Sequence, residues 1–112
     1  MADYLGMLRL EGRVALVTGG GSGIGRATAQ ALAQVGAHVA VSDIDHEAAR
    51  AVAGEIGRGE AHRLDVADEA EVGAVVAAVM TRHGRIDVLV NNAGLGARMP
   101  TVDLPTERWR QV

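Results

Sequence analysis

Short apolar runs alternate with helix-like segments along this chain, and this alternation restricts its fold more than any other feature. Continuous apolar runs lie at residues 14–17 and 39–41, a run interrupted only by Asp87 lies at residues 86–90, and a weaker run lies at residues 61–64. Such runs, bounded by turn residues, are typical of strands buried on both faces. Alternating strands and helices form parallel sheets with right-handed crossovers. The sequence therefore predicts an α/β fold, a doubly wound three-layer sandwich around a parallel sheet of about four strands.

Three helices are predicted between these strands. The first covers residues 24–35, the second covers residues 45–56, and the third begins after Asp68, which can cap its N-terminus. Each helix ends at glycine, the first at Gly36, the second at Gly57 and Gly59, and the third at Gly84. Five apolar residues at helical spacing predict an apolar face on the third helix, namely Val72, Val75, Val76, Val79 and Met80.

The composition argues against several classes of function. The formal net charge is −3 and charges of both signs are mixed along the chain, so we expect no nucleic-acid partner and no membrane surface. The longest apolar run, residues 72–80, is much shorter than the roughly 20 residues that span a bilayer. The chain has no Cys, and its N-terminus, with Asp3, is unlike a signal peptide. These features predict a soluble, cytoplasmic protein.

A glycine-rich segment joins the first predicted strand to the first predicted helix. It reads Thr18-Gly19-Gly20-Gly21-Ser22-Gly23-Ile24-Gly25. Glycines allow a sharp turn and a close approach of the backbone to a pyrophosphate, while the following helix offers unpaired N–H groups and the positive end of its dipole. This context favours a dinucleotide-binding loop. The alternative is a tight turn that binds nothing.

Histidine spacing gives no indication of a metal centre. The four residues are His38, His46, His62 and His83, and they form neither an H-x₃-H nor an H-E-x-x-H pattern. We therefore predict no metal site. His83 is expected in the last turn of the third helix, where partial positive charge suits the helix dipole.

The spacing of Thr18, Gly19, Gly23 and Gly25 resembles the TGxxxGxG motif of short-chain dehydrogenases/reductases. Two further segments resemble motifs of that family, Leu64-Asp65-Val66 on the adenine side and Asn91-Asn92-Ala93-Gly94 after the fourth strand. The resemblance covers residues 12–112 and implies a Rossmann-type sheet, of which about half is present here. Residues 1–112 are accordingly expected to form one dinucleotide-binding domain, incomplete at its C-terminus, with residues 1–12 as a lead-in.

Asp43 follows the second predicted strand, 18 residues after Gly25. At this strand end a carboxylate can accept hydrogen bonds from both hydroxyls of the adenosine ribose, and it would repel a 2′-phosphate. Asp43, followed by Ile44, therefore favours NAD over NADP. The alternative role for Asp43 is to cap the second helix.

The resemblance also implies roles for residues near the other strand ends. In the family, Asp65 would bind the adenine amino group, Val66 would offer backbone to the ring, and the ribose on the nicotinamide side would lie against Asn92, Ala93 and Gly94. Asn91 is expected to tie strand ends together. The alternative for both segments is ordinary turn chemistry.

Catalysis in this family uses a Ser, a Tyr and a Lys in a later segment, and a neighbouring cation lowers the pKa of the tyrosine. Here Tyr4 precedes the first strand, the serines are Ser22 and Ser42, and Lys is absent. We name no catalytic residue and expect these 112 residues alone to be inactive.

The resemblance implies the cofactor-binding half of an NAD-dependent oxidoreductase that acts on alcohol or carbonyl substrates, and it implies that the full-length parent is a homo-oligomer. A non-catalytic dinucleotide-binding module and a structural fragment remain alternatives.

Overall fold

A computed structural model describes residues 9–93, in which four strands alternate with three helices. The elements in chain order are β1 (Val14–Thr18), α1 (Gly23–Gln34), β2 (His38–Asp43), α2 (His46–Ile56), β3 (Gly59–Arg63), α3 (Glu69–His83) and β4 (Val88–Asn91). All seven predicted elements are present, although β3 and β4 were placed less accurately than the others. β3 begins at Gly59 rather than residue 61, and β4 begins at Val88 rather than residue 86.

The four strands form one parallel sheet in the order β3-β2-β1-β4. β1 lies at the centre and pairs with β2 on one side and with β4 on the other. Residues of α1 and α2 pack on one face of the sheet, and residues of α3 pack on the opposite face. The predicted doubly wound, three-layer α/β architecture is therefore confirmed.

Small side chains fill the core on both faces of the sheet. On the face covered by α1 and α2, alternate residues of β1 and β2 meet Ala29, Ala49 and Val52, all of them fully or almost fully buried. On the other face Val75 and Val79 of α3 meet the apolar residues of β1 and β2 that point to that side. Because Ala and Val are short, the helices can lie close to the strands, which accounts for a core built without any Phe.

The apolar face predicted for α3 is wrong in part. Val75 and Val79 are buried and Val72 is half-buried, but Val76 and Met80 are exposed. The helix contacts the sheet along a narrower stripe than the five-residue pattern indicated. Although α3 is the longest described helix at 15 residues, neither it nor any other helix within residues 9–93 is long and apolar enough to cross a membrane.

The fourth strand is less buried than its apolar run predicted. Val88 and Val90 pack against the core on the face of α1 and α2, whereas Leu89 is exposed. Successive side chains of a strand point to opposite faces, so Leu89 points away from that core. An apolar run alone does not distinguish a strand covered on both faces from one covered on a single face.

Asp87 joins the beginning of β1 to the segment that leads into β4. Its carboxylate accepts hydrogen bonds from the backbone N–H of Val14 at 2.8 Å, from Arg13 at 3.3 Å and from Arg85 at 2.7 and 2.8 Å. The hydrogen bond from Arg85, followed by those from Val14 and Arg13, lowers the pKa of Asp87 to about 2. The ionised carboxylate is therefore favoured in the folded chain.

We expect Asp87→Asn to destabilise the protein at pH 7 and to alter its response to acid. Because the pKa of Asp87 falls from 3.8 to about 2 on folding, its stabilising contribution is complete above pH 4 and disappears as the pH drops through 2. Urea unfolding at pH 7, 4 and 2 should show a stability difference between wild type and variant that shrinks with acidification. Glu47→Gln, in an exposed pair with Arg50, serves as the control and should have little effect. A pH-independent difference for Asp87→Asn would contradict this assignment.

Candidate dinucleotide site

A cavity of about 570 Å³ opens at the carboxyl ends of the strands, where the sequence placed its candidate residues. Ten of those residues line it, contributed by all four strand ends: Gly19, Ser22, Gly23, Ile24, Asp43, Ile44, Asp65, Val66, Asn92 and Ala93. Thr18 and Gly25 are buried beside the cavity, and Gly94 lies outside the described residues. The structure thus brings together segments that are separated by whole helices in the sequence.

The glycine loop is held against the end of β2 by two backbone donors. The N–H of Gly20 donates to the carbonyl of Ser42, and the N–H of Gly21 donates to Asp43 Oδ2, both at 2.9 Å. Ser42 itself is buried and donates its hydroxyl to the carbonyl of Val17 at 2.9 Å. The loop therefore has a fixed position before any ligand is bound.

The backbone N–H groups at the N-terminus of α1 have fewer hydrogen-bond partners than those at the N-termini of the other two described helices. Asp45 caps α2 by accepting from the N–H of Ala48, and Asp68 caps α3 by accepting from two N–H groups. Ser22 stands at the same position of α1, but its side chain makes no capping hydrogen bond, and the first turn of α1 carries no acidic residue. Free N–H groups and an uncompensated positive dipole end are the features that bind phosphate groups.

Gly25 allows the first turn of α1 to approach the glycine loop and the end of β4. It is buried, and a Cβ atom at this position would overlap the carbonyl oxygen of Gly19 and lie 2.6 Å from Nδ2 of Asn92. No other residue type fits without movement of the backbone, because the obstructing atoms include a backbone carbonyl. This glycine is therefore required by the packing of the site.

Thr18 is the last residue of β1, and its hydroxyl joins the glycine loop to the end of β4. It accepts from the N–H groups of Asn92 at 3.1 Å and Ala93 at 3.2 Å, and it donates to the carbonyl of Val90 at 3.3 Å. One donor and two acceptor positions exhaust the capacity of a hydroxyl. Nδ2 of Asn92 adds a hydrogen bond to the carbonyl of Gly19 at 3.2 Å. The side-chain tie that the sequence assigned to Asn91 is thus made by Asn92, while Asn91 pairs with Thr18 in the sheet.

Asp43 faces the cavity and is not the cap of α2. Its Oδ1 accepts from the N–H of Asp45 at 3.0 Å, and its Oδ2 accepts from Gly21, whereas the cap of the helix is Asp45. The alternative of a capping role for Asp43 is therefore wrong. A carboxylate has about four acceptor positions, so hydrogen bonds from a ligand can still be received beside these two.

Apolar side chains and a second carboxylate complete the walls. Ile24, Ile44 and Val66 line the cavity although they are 77%, 59% and 40% exposed. Asp65 accepts from the N–H of Ala67 at 3.0 Å, which fixes the turn after β3. Ala67 also lines the cavity, and the sequence analysis missed it because an alanine in a turn carries no chemical signal. Exposed apolar surface around polar strand ends suits a flat aromatic ring with hydrogen-bonding edges.

The sequence matches the profile of a known family over residues 13–112, and that family is described as short chain dehydrogenase. The chain belongs to the short-chain dehydrogenase family. Its structure is similar to that of a hydroxysteroid dehydrogenase from Escherichia coli, with a TM-score of 0.83 and 41% identity over 93% of this chain and 44% of the other. It is also similar to a 3-ketoacyl-(acyl-carrier-protein) reductase from Brucella melitensis complexed with NADH, with a TM-score of 0.80 and 42% identity over 89% of this chain and 42% of the other.

A curated member of the short-chain dehydrogenase family, the sorbitol dehydrogenase of Cereibacter sphaeroides, is 48% identical over 103 residues. That alignment covers 91% of this chain but 40% of the relative. The chain therefore spans about two fifths of the length of such relatives. The named relatives are dehydrogenases and reductases, which makes this an oxidoreductase family.

A second polar cluster lies away from the nucleotide cavity, and the sequence did not reveal it. Glu60 of β3 is buried and contacts the rings of His38, His62 and His83, which come from β2, β3 and α3. Burial raises the pKa of Glu60, but the hydrogen bonds from His83, His62 and His38 and the charge of His62 outweigh this effect and lower the pKa to about 2. Glu60 and His62 are neighbours on β3, but no local spacing connects them to His38 or His83, which the pairing of β2 with β3 and the packing of α3 bring to them.

Proposed function

We propose that this chain is the dinucleotide-binding part of an NAD-dependent oxidoreductase that transfers hydride between a nicotinamide and an alcohol or carbonyl substrate. Membership of the short-chain dehydrogenase family and the similarity to a reductase complexed with NADH support this function. When bound, the nicotinamide would accept hydride from an alcohol or donate it to a carbonyl. The residues of this chain bind and orient it, and we assign them no step of the chemistry.

The uncapped N-terminus of α1 is the observation that carries the proposal. It opens beside Gly19 and Ser22 into the cavity, where a pyrophosphate would receive hydrogen bonds from the backbone and meet the positive end of the helix dipole. In the proposed complex the adenine lies against Ile24, Ile44 and Val66, with Asp65 at its polar edge. Asn92, Ala93 and Gly94 are proposed to lie on the nicotinamide side.

The preference for NAD over NADP is proposed from the position of Asp43. Its carboxylate is fixed beside the glycine loop by Gly21 and Asp45, so it cannot turn away from an approaching 2′-phosphate without losing both hydrogen bonds. Like charges in a partly desolvated site repel, whereas ribose hydroxyls donate to a carboxylate in charge-assisted hydrogen bonds. The same group therefore attracts one cofactor and rejects the other.

We expect the purified protein to bind NAD at least tenfold more tightly than NADP, and Asp43→Ala to bring the two affinities together. Loss of the hydrogen bonds to ribose should weaken NAD binding by about 1.5–3 kcal/mol, while NADP binding stays equal or improves. Calorimetric titration of each cofactor against wild type and variant measures both effects. Asp43→Asn distinguishes the loss of hydrogen bonding from the loss of charge, because the amide oxygen still accepts a hydrogen bond while the charge is absent.

Asp45→Ala is the matched control, since this neighbouring carboxylate caps α2 and does not line the cavity. It should reduce stability by about 1 kcal/mol and leave the ratio of the two affinities unchanged. Equal affinities in the wild type, or a preference for NADP, would refute the cofactor assignment. A failure to bind either dinucleotide would refute the proposed function as a whole.

A further inference from the structure

Two imidazoles and one carboxylate converge where β2 begins, at the end of the sheet opposite the nucleotide cavity. His38 is the first residue of β2, Glu60 follows Gly59 at the beginning of β3, and His83 is the last residue of α3. Since parallel strands begin at the same edge, none of these residues can reach the cavity at the carboxyl ends. The proposed function gives this cluster no role.

The two histidines point at the same carboxylate oxygen. Nε2 of His38 lies 2.8 Å and Nε2 of His83 lies 2.5 Å from Glu60 Oε1, and the two ring centroids are 4.2 Å apart. Three side chains from separate elements thus present their ligating atoms within 4.8 Å of one another. In a tetrahedral zinc site, bonds of about 2.0–2.2 Å place neighbouring ligand atoms roughly 3.3–3.6 Å apart. The two distances from the histidine nitrogens to Glu60 Oε1 reach that value through a movement of about an ångström or less.

Contrary to the expectation from histidine spacing, we propose that His38, Glu60 and His83 bind a divalent transition metal ion, with Zn²⁺ as the ion best suited to this ligand set. Two imidazole nitrogens and one carboxylate oxygen are ligands that zinc accepts, and they leave one position of a tetrahedron for water. A hard ion such as Mg²⁺ prefers an all-oxygen shell and would be a poor match.

His62 holds the carboxylate in the orientation that such a site needs. Its Nε2 lies 2.6 Å from Glu60 Oε2, the oxygen that neither of the proposed ligands contacts, and the side chain of Glu60 is only 7% exposed. A hydrogen bond on the outer oxygen fixes a metal-binding carboxylate, and loss of such a partner commonly weakens metal binding by about 10- to 100-fold. His62 is therefore a positioning residue in the proposed site.

The surroundings admit both an ion and a water molecule. A cavity of about 600 Å³ opens beside His38 and His83 and gives access from solvent. The carboxyl end of α3 lies next to His83, and its negative dipole end favours a cation. Arg82 Nε is 4.0 Å from Glu60 Oε1 and is the cation that a metal would displace, which its 65% exposed side chain permits.

The test is a titration of the chelator-treated, purified protein with Zn²⁺ alone, and separately with Co²⁺ and Mg²⁺. We expect one Zn²⁺ per chain with a micromolar or lower Kd, visible absorption of bound Co²⁺ typical of four-coordination, and no competition by Mg²⁺. His38→Ala, His83→Ala and Glu60→Gln should each weaken Zn²⁺ binding at least tenfold, and His62→Ala should weaken it without changing the stoichiometry. His46→Ala is the control, because this exposed histidine begins α2 outside the cluster.

Nitrogen NMR of the wild-type histidines gives a readout that needs no variant to fold. Addition of Zn²⁺ should shift Nε2 of His38 and His83 and leave His46 unchanged. The proposal is overturned if Zn²⁺ does not bind at 100-fold excess, if the cluster variants bind as tightly as wild type, or if His46 carries the shift. NAD titration is independent of these results, so a failure here leaves the nucleotide site untouched.

Discussion

Gly25→Ala should abolish dinucleotide binding and destabilise the fold by about 3 kcal/mol or more. The new methyl group would overlap the carbonyl oxygen of Gly19 and press on Nδ2 of Asn92, so the hydrogen bond between these two residues would break as well. Overpacking costs about 1–3 kcal/mol when side chains can move aside, and here a backbone carbonyl stands in the way. Urea unfolding should show the loss of stability, and calorimetry should show at least a 100-fold weaker affinity for NAD.

Gly54→Ala is the matched control for this variant. Gly54 also lies within a helix, α2, but a Cβ atom there would meet nothing within 4 Å. Replacing an unconstrained helical glycine by alanine should stabilise the protein by about 0.5–1 kcal/mol and leave NAD binding unchanged. If Gly25→Ala behaves like Gly54→Ala, the close contact between α1 and the end of β4 is not a requirement of the site.

Thr18→Val should reduce stability by about 2–4 kcal/mol even though the two side chains have nearly the same shape. The substitution removes the acceptor for the N–H groups of Asn92 and Ala93 and the donor to the carbonyl of Val90. Each buried polar group that loses its partner costs about 1–3 kcal/mol, and valine itself suits a strand. The end of β4 should loosen, so NAD binding should weaken together with stability.

Thr18→Ser distinguishes the contribution of the hydroxyl to stability from that of the methyl group. Serine keeps all three hydrogen bonds and loses one buried methyl, for which a cost of about 1 kcal/mol is expected. Urea unfolding and NAD titration of both variants give the comparison. Equal losses in Thr18→Ser and Thr18→Val would mean that packing of the methyl group, and not the hydroxyl, holds the two segments together.

The sequence predicted the fold well because the decisive signals are local. A buried run ending in a glycine loop, followed by an Ala-rich helix with no Gly or Pro after its first turn, left little choice for β1 and α1, and Asp68 was correctly placed as the cap of α3. The weakest prediction was β3, whose residues Gly59–Arg63 include a buried Glu and a His that no periodicity favours. Its place in the sheet depends on pairing with β2, which is a tertiary effect.

The site was predictable to the extent that its residues follow strand ends. The positions of Asp43, Asp65 and Asn92 around one cavity follow from parallel strands alone. Hydrogen-bond partners cannot be predicted in this way. Only the three-dimensional structure shows that Thr18 joins the glycine loop to the end of β4 and that Asp45, rather than Asp43, caps α2. The histidine cluster was missed for the same reason, since β2, β3 and α3 contribute one or two residues each.

Because of the register of the sheet, each segment that binds the ligand can change independently of the others. Thr18, the last residue of β1, is paired with Asn91, the last residue of β4, and with Ser42, one residue before the end of β2, so the segments after β1, β2 and β4 start within one residue of a common row across the sheet. Each segment can therefore change its chemistry, as the loop after β2 would do to accept a different ribose, without disturbing its neighbours. An insertion inside a strand has no such freedom, because a shift of one residue would turn every side chain to the opposite face. Evolutionary change in cofactor choice should accordingly accumulate just beyond this row, while the lengths of the strands themselves stay fixed.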